Sequence, residues 1–102
     1  MTPDEIAELI TRRRRQLVVH SIIYYEMDDN IISDNQWKQW ADELVELQRT
    51  YPEIARSCPR AKEFEGFDNS TGYHLPLRDP YDLALARRLL DMHHNGVPKP
   101  YF

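Results

Sequence analysis

Apolar and half-apolar side chains recur along the first half of the chain at steps of three and four residues, the spacing of one face of an α-helix. The first series, with Arg13 in its one gap, comprises Ile6, Ile10, Leu17, His20, Tyr24 and Met27. The second comprises Trp37, Trp40, Leu44, Leu47 and Tyr51. Each series repeats every seven residues, which is typical of helices that pack along a seam. The pattern predicts helices at about residues 3–29 and 34–50.

Residues that favour helix starts and turns flank both series. Thr2 and Glu5 have the spacing of a capping box, and Ser33 is a favourable cap for the second helix. The Asp-Asp-Asn cluster at residues 28–30 is typical of a turn. Because this connection is short, we expect the two helices to form an antiparallel hairpin.

Residues 58–79 have a different character, since they are rich in turn-forming and aromatic residues and lack a helical period. They predict a long irregular loop, and such loops are often functional. We expect Phe64, Phe67 and Tyr73 to anchor this loop in the hairpin.

Capping signals also delimit a third helix at about residues 80–94. Asp79-Pro80 is a favourable start, and Asn95-Gly96 followed by prolines is a favourable end. We expect this helix to pack across the hairpin and residues 95–102 to form an extended tail. The predicted fold class is all-α, with residues 1–102 in a single domain.

Charge and cysteine content restrict the function classes. Thirteen basic and 17 acidic residues give a net charge of −4, which argues against broad nucleic-acid binding. The basic run Arg12–Arg15 points in four directions on a helix, so we favour a solvated collar paired with acids such as Glu8 over a nucleic-acid contact. The single Cys58, the acidic amino terminus and the lack of a membrane-length apolar run predict a cytoplasmic protein.

The sequence carries no recognisable catalytic or metal-binding constellation. Phosphate-binding and nucleophile-elbow motifs are missing. The ligand-type residues Asp91, His93 and His94 diverge around a helix end, which is a poor arrangement for a metal. We therefore expect a protein that is not an enzyme and has no metal site.

A cluster of aromatic and acidic residues is predicted at the hairpin turn. An antiparallel hairpin brings Tyr24 and Tyr25, at the end of the first helix, close to Asp34 and Trp37, at the start of the second. Aromatic faces beside a carboxylate suit a flat, cationic or hydroxyl-rich ligand. The alternative is that the aromatic residues are core and Asp34 supports a helix start.

The same stretch resembles the N-terminal helical Ia domain of bacterial NAD-dependent DNA ligases. The resemblance covers about residues 10–55 and rests on His20, Tyr24-Tyr25, Ile32-Ser33-Asp34, Trp37 and Tyr51-Pro52-Glu53. It implies a domain that binds the nicotinamide mononucleotide (NMN) half of NAD. Tyr24, Tyr25 and Asp34 match the family's nicotinamide-site pattern, and Trp37 replaces a tyrosine. Lys38 stands where the family has an aspartate, which reverses a charge beside a cationic ring.

Two functional hypotheses follow. The first is a stand-alone, non-catalytic accessory module of the phage or prophage type, which acts in DNA metabolism through a protein partner; Lys38 favours it. The second is a module that binds NMN, NAD or a similar nucleotide through Tyr24, Tyr25, Asp34, Trp37 and Lys38. If Lys38 pairs with Asp34, we expect the nucleotide site to be closed. If Lys38 points away, nucleotide binding is favoured.

Overall fold

The computed structural model describes residues 1–96, and this part of the chain forms four helices without a strand. The helices are α1 (Pro3–Tyr25), α2 (Asp34–Thr50), α3 (Pro52–Ser57) and α4 (Pro80–His94). The predicted all-α class is therefore confirmed for the described residues. None of these helices is long and apolar enough to cross a membrane. The part of the predicted extended tail that follows Gly96 lies outside the described residues.

Helix α1 begins as predicted but ends at Tyr25 rather than near residue 29. At its start, Thr2 Oγ1 accepts the backbone N–H of Glu5 at 3.1 Å, and Glu5 Oε1 accepts that of Thr2 at 2.8 Å. The bond from the Thr2 backbone holds the pKa of the Glu5 carboxyl below its usual value. At its end, Asp28 has a left-handed φ of 52°. A residue in this conformation cannot continue a helix, so Asp28 belongs to the turn.

The two long helices form the predicted antiparallel hairpin. Trp37, at the start of α2, donates a hydrogen bond to Ser21, near the end of α1. Arg14, in the first half of α1, bonds to Gln48 near the end of α2. Contacts at both ends therefore fix the register of the two helices.

Helix α1 is the centre of the molecule, since it packs against α2, α3 and α4. Seven of its apolar side chains are buried: Ile6, Ile10, Leu17, Val18, Val19, Ile22 and Ile23. Adjacent residues in this set point to neighbouring faces, so α1 buries more than one side. Helix α4 packs on α1 and not on α2, so the prediction that it packs across both helices of the hairpin is wrong.

Arg14 is buried, which corrects the prediction of a solvated arginine collar. Its side chain is 2% exposed and uses all five N–H donors. Nε and Nη2 donate to Gln48 Oε1, and the remaining donors reach the carbonyls of Ala55, Cys58 and Pro59 at 2.9 to 3.2 Å. Burial lowers the pKa of the guanidinium. The prediction failed because the acceptors are carbonyl groups at the end of α3, which a sequence pattern does not reveal.

The irregular segment over residues 58–79 is anchored mainly as predicted. Phe64 is buried and Phe67 is half-buried, with ring centroids 5.1 Å apart. Tyr73 is 66% exposed, so its predicted anchoring role is wrong. The backbone at Gly72 packs against the hairpin instead, and the Tyr73 side chain faces solvent.

Candidate functional site

A cavity of about 450 Å³ lies beside the turn between α1 and α2. Three parts of the chain form it: the end of α1, the turn with the start of α2, and a segment of the irregular loop, residues 69–72. We call this part of the loop the 69–72 segment. The lining residues are His20, Ser21, Tyr24, Tyr25, Asn30, Ile32, Ser33, Asp34, Asn35, Trp37, Lys38, Asn69, Ser70, Thr71 and Gly72.

The five residues predicted from the sequence all line this cavity: Tyr24, Tyr25, Asp34, Trp37 and Lys38. The hairpin brings them together although Tyr24 and Lys38 belong to different helices. The alternative that these aromatic residues are core does not fit the tyrosines, since Tyr24 is 55% exposed and Tyr25 is also exposed.

Trp37 is the most firmly positioned aromatic residue of the cavity. Its Nε1 donates a hydrogen bond to Ser21 Oγ at 3.2 Å. Its ring lies edge-on to Phe67, with centroids 6.4 Å apart. These contacts fix the indole between α1 and the irregular loop, so it offers a preformed apolar surface to a ligand.

Tyr24 and Tyr25 lie at the mouth of the cavity. Their rings meet edge-on, with centroids 4.9 Å apart. The hydroxyl of Tyr25 is 2.9 Å from Thr71 Oγ1. This hydrogen bond connects α1 directly to the 69–72 segment.

Lys38 does not pair with Asp34. Its Nζ lies 2.7 Å from Asp42 Oδ1, one turn further along α2. The Asn69 amide donates to the same oxygen. The hydrogen bond from Lys38, with that from Asn69, holds the pKa of Asp42 below its usual value. Asp34 lies in the first turn of α2, where a carboxylate also interacts well with the helix dipole.

Sequence reasoning allowed the irregular loop to border a site, but it did not place the 69–72 segment beside the hairpin turn. Gly72 packs so closely that a Cβ there would lie 2.1 Å from Ser21 Oγ and 3.2 Å from Trp37 Cζ2. The run of small polar residues ending in glycine is a signal for a loop, but its partner cannot be read from it. His20 was grouped with Tyr24 by its helical spacing; its ring is buried against Trp40, with centroids 5.4 Å apart.

The other residues singled out in the sequence lie away from the cavity. Cys58 is buried, and its Sγ lies 3.6 Å from the carbonyl oxygen of Ala7. Arg12 pairs with Glu8 at 3.3 Å, as the collar interpretation predicts. Among residues 1–96, no group of three or more His, Cys, Asp or Glu is placed to hold a metal ion.

Comparison with known proteins identifies the family. Residues 3–58 match the family model of the DNA ligase-like, N-terminal NAD+-binding domain. The matched residues include the hairpin and the aromatic and acidic side chains at its turn. The match covers more than half of the chain, and the protein therefore belongs to this family.

The relatives are DNA ligases of bacteria. The chain is 36% identical over 52 residues to the DNA ligase of Pseudothermotoga lettingae, which is 51% of this chain and 8% of the ligase. The DNA ligase of Thermotoga maritima is 35% identical over 52 residues, which is again 51% of this chain and 8% of the ligase. The DNA ligase of Petrotoga mobilis is 28% identical over 96 residues, 89% of this chain and 14% of the ligase. That match extends beyond residues 10–55, on which the resemblance rested. No solved structure matches significantly.

Proposed function

We propose that the cavity beside the hairpin turn binds the NMN half of NAD. The observation that carries this proposal is the common location of Tyr24, Tyr25, Asp34 and Trp37 in one cavity, in a chain whose family is described as NAD+-binding. The aromatic rings suit a flat nicotinamide ring, and the Asp34 carboxylate suits its positive charge. A volume of about 450 Å³ falls within the usual range of small-molecule sites, about 300–1,000 Å³.

The position of Lys38 supports nucleotide binding over a closed site. Its ammonium group pairs with Asp42, so the Asp34 carboxylate remains available to a ligand on the cavity side. We propose binding without catalysis. NAD incubated with the protein should be recovered unchanged.

Titration with NMN tests the proposal. The indole N–H resonance of Trp37, assigned with a Trp40→Phe variant, should shift with saturation in two-dimensional NMR. Asp34→Asn should weaken binding because it removes the charge that faces the nicotinamide. Tyr81→Ala is the matched control, since Tyr81 is an exposed tyrosine on α4 outside the cavity. No shift with millimolar NMN or NAD in a folded sample would refute nucleotide binding.

We infer a second candidate function, binding of a protein partner, from the tyrosines around the mouth of the cavity. Tyr73 is 66% exposed and meets Tyr25 edge-on at 5.5 Å. Exposed tyrosines are enriched at protein interfaces. The chain would then be an accessory module of bacterial or phage DNA metabolism.

The two candidates predict opposite effects of two variants. Tyr73 does not line the cavity, so Tyr73→Ala should weaken capture of a protein partner and leave NMN binding unchanged. Asp34→Asn should weaken NMN binding and leave capture of a protein partner unchanged. If Tyr73→Ala and the control Tyr81→Ala capture a partner equally well, the tyrosine surface is not the interface.

A further inference from the structure

We propose that Lys38 and Asn69 form a subsite for the phosphate group of the nucleotide, which makes the site selective for phosphorylated ligands. This inference rests on the proposed function and deepens it, since it concerns which nicotinamide compound the same cavity accepts. It arises from two donors in different parts of the chain, one on α2 and one in the 69–72 segment.

The two donor groups are close together at the cavity. The Lys38 ammonium and the Asn69 amide both donate to Asp42 Oδ1, and both residues line the cavity. An ammonium carries three N–H donors and a side-chain amide carries two. Asp42 accepts one from each, which leaves donor capacity at this edge of the cavity for an anionic oxygen.

Lys38 and Asn69 line the same cavity as the aromatic residues that we assign to the nicotinamide ring. Asn69 bonds to Asp42 on α2, and Thr71 bonds to Tyr25 on α1. Two residues of chain span at most about 7 Å. The 69–72 segment therefore contacts both the tyrosine side and the Lys38 side of the cavity, so one short piece of chain connects the two sides.

The existing ion pair does not prevent Lys38 from binding a phosphate. The side chains of Lys38 and Asp42 are 56% and 52% exposed, and pairs so exposed to solvent are weak. A phosphate has a larger negative charge than a carboxylate and several acceptor oxygens, so it attracts the ammonium strongly.

Affinities for NMN and for nicotinamide riboside, which lacks the phosphate, test the inference by calorimetry. The wild-type protein should bind NMN about five- to tenfold more tightly than the riboside. Lys38→Gln should remove most of this preference by weakening NMN binding alone, and Lys38→Arg should retain it. Lys62→Gln is the control, because Lys62 is an exposed lysine that does not line this cavity.

Each outcome separates the phosphate subsite from the proposed function. Equal wild-type affinity for NMN and the riboside would overturn the subsite and leave nicotinamide binding in place. An equal loss of both ligands in Lys38→Gln would also overturn it, since Lys38 would then support the cavity as a whole. Binding of neither ligand by the wild-type protein would refute the proposed function and the subsite together.

Discussion

Replacing Arg14 with methionine tests whether one buried guanidinium holds α3 and the irregular loop on the hairpin. Methionine keeps much of the apolar contact with Phe64, whose ring centroid is 5.8 Å from the guanidinium carbon, but it removes five donors. Gln48 and the carbonyls of Ala55, Cys58 and Pro59 then lose these hydrogen bonds.

The magnitude follows from these bonds. Each hydrogen bond to a charged group contributes roughly 1.5–3 kcal/mol, and the contributions are not additive because water re-solvates part of the site. Removing the donor also leaves each buried acceptor without a partner, which costs about 1–3 kcal/mol per group. A domain of this size has an unfolding free energy of about 5–15 kcal/mol. We therefore expect Arg14→Met to lower the free energy of unfolding by about 3–5 kcal/mol, which is at least a fifth of that quantity.

Urea unfolding followed by far-ultraviolet circular dichroism gives the free energy of unfolding. Arg14→Lys should lie between the wild type and Arg14→Met, because an ammonium has three donors and lacks the planar fork of a guanidinium. Arg49→Gln is the control, since Arg49 is an exposed arginine and its loss should change stability by at most about 0.5 kcal/mol. Arg14→Met within about 1 kcal/mol of the wild type would refute the assigned role.

Three further predictions concern the cavity and the first helix. Gly72→Ala should destabilise the protein by about 1–3 kcal/mol and weaken NMN binding in the same titration, because its Cβ would clash with Ser21. Lys38→Gln should raise the pKa of Asp42, measured by carbon-13 NMR. Because the folded-state pKa is lowered, the pair stabilises the protein above the unfolded pKa, and its contribution disappears as the pH falls through the folded value. Thr2→Ala should cost about 1 kcal/mol in urea unfolding by removing the cap of α1.

The parts of the fold that depend on local interactions could be predicted from the sequence. The Thr2 capping box, the Ser33 cap and the Asp79 cap act within one helical turn, and all three are present. The period of the apolar residues then determines which faces meet, and a short connection leaves the hairpin as the simplest arrangement. The convergence of Tyr24 and Asp34 follows from that hairpin.

The parts that depend on distant partners could not be predicted. Three hydrogen bonds of Arg14 go to carbonyl groups more than 40 residues away along the chain. Lys38 had two carboxylates at helical spacing, Asp34 before it and Asp42 after it, and Asn69 reinforces the second. The sequence pattern alone does not distinguish between these two partners.

The cavity combines the hairpin with a loop segment that lies outside the residues matched by the family model. The hairpin residues lie within the matched residues 3–58, whereas the 69–72 segment lies outside them. Gly72 leaves no room for a side chain between the segment and Ser21, so the two parts pack as one unit. A ligand that contacts both parts binds only the assembled form, and it therefore stabilises the segment against local opening by mass action. Hydrogen exchange of the 69–72 segment should consequently slow with NMN, which gives a measure of binding that does not depend on the tryptophan.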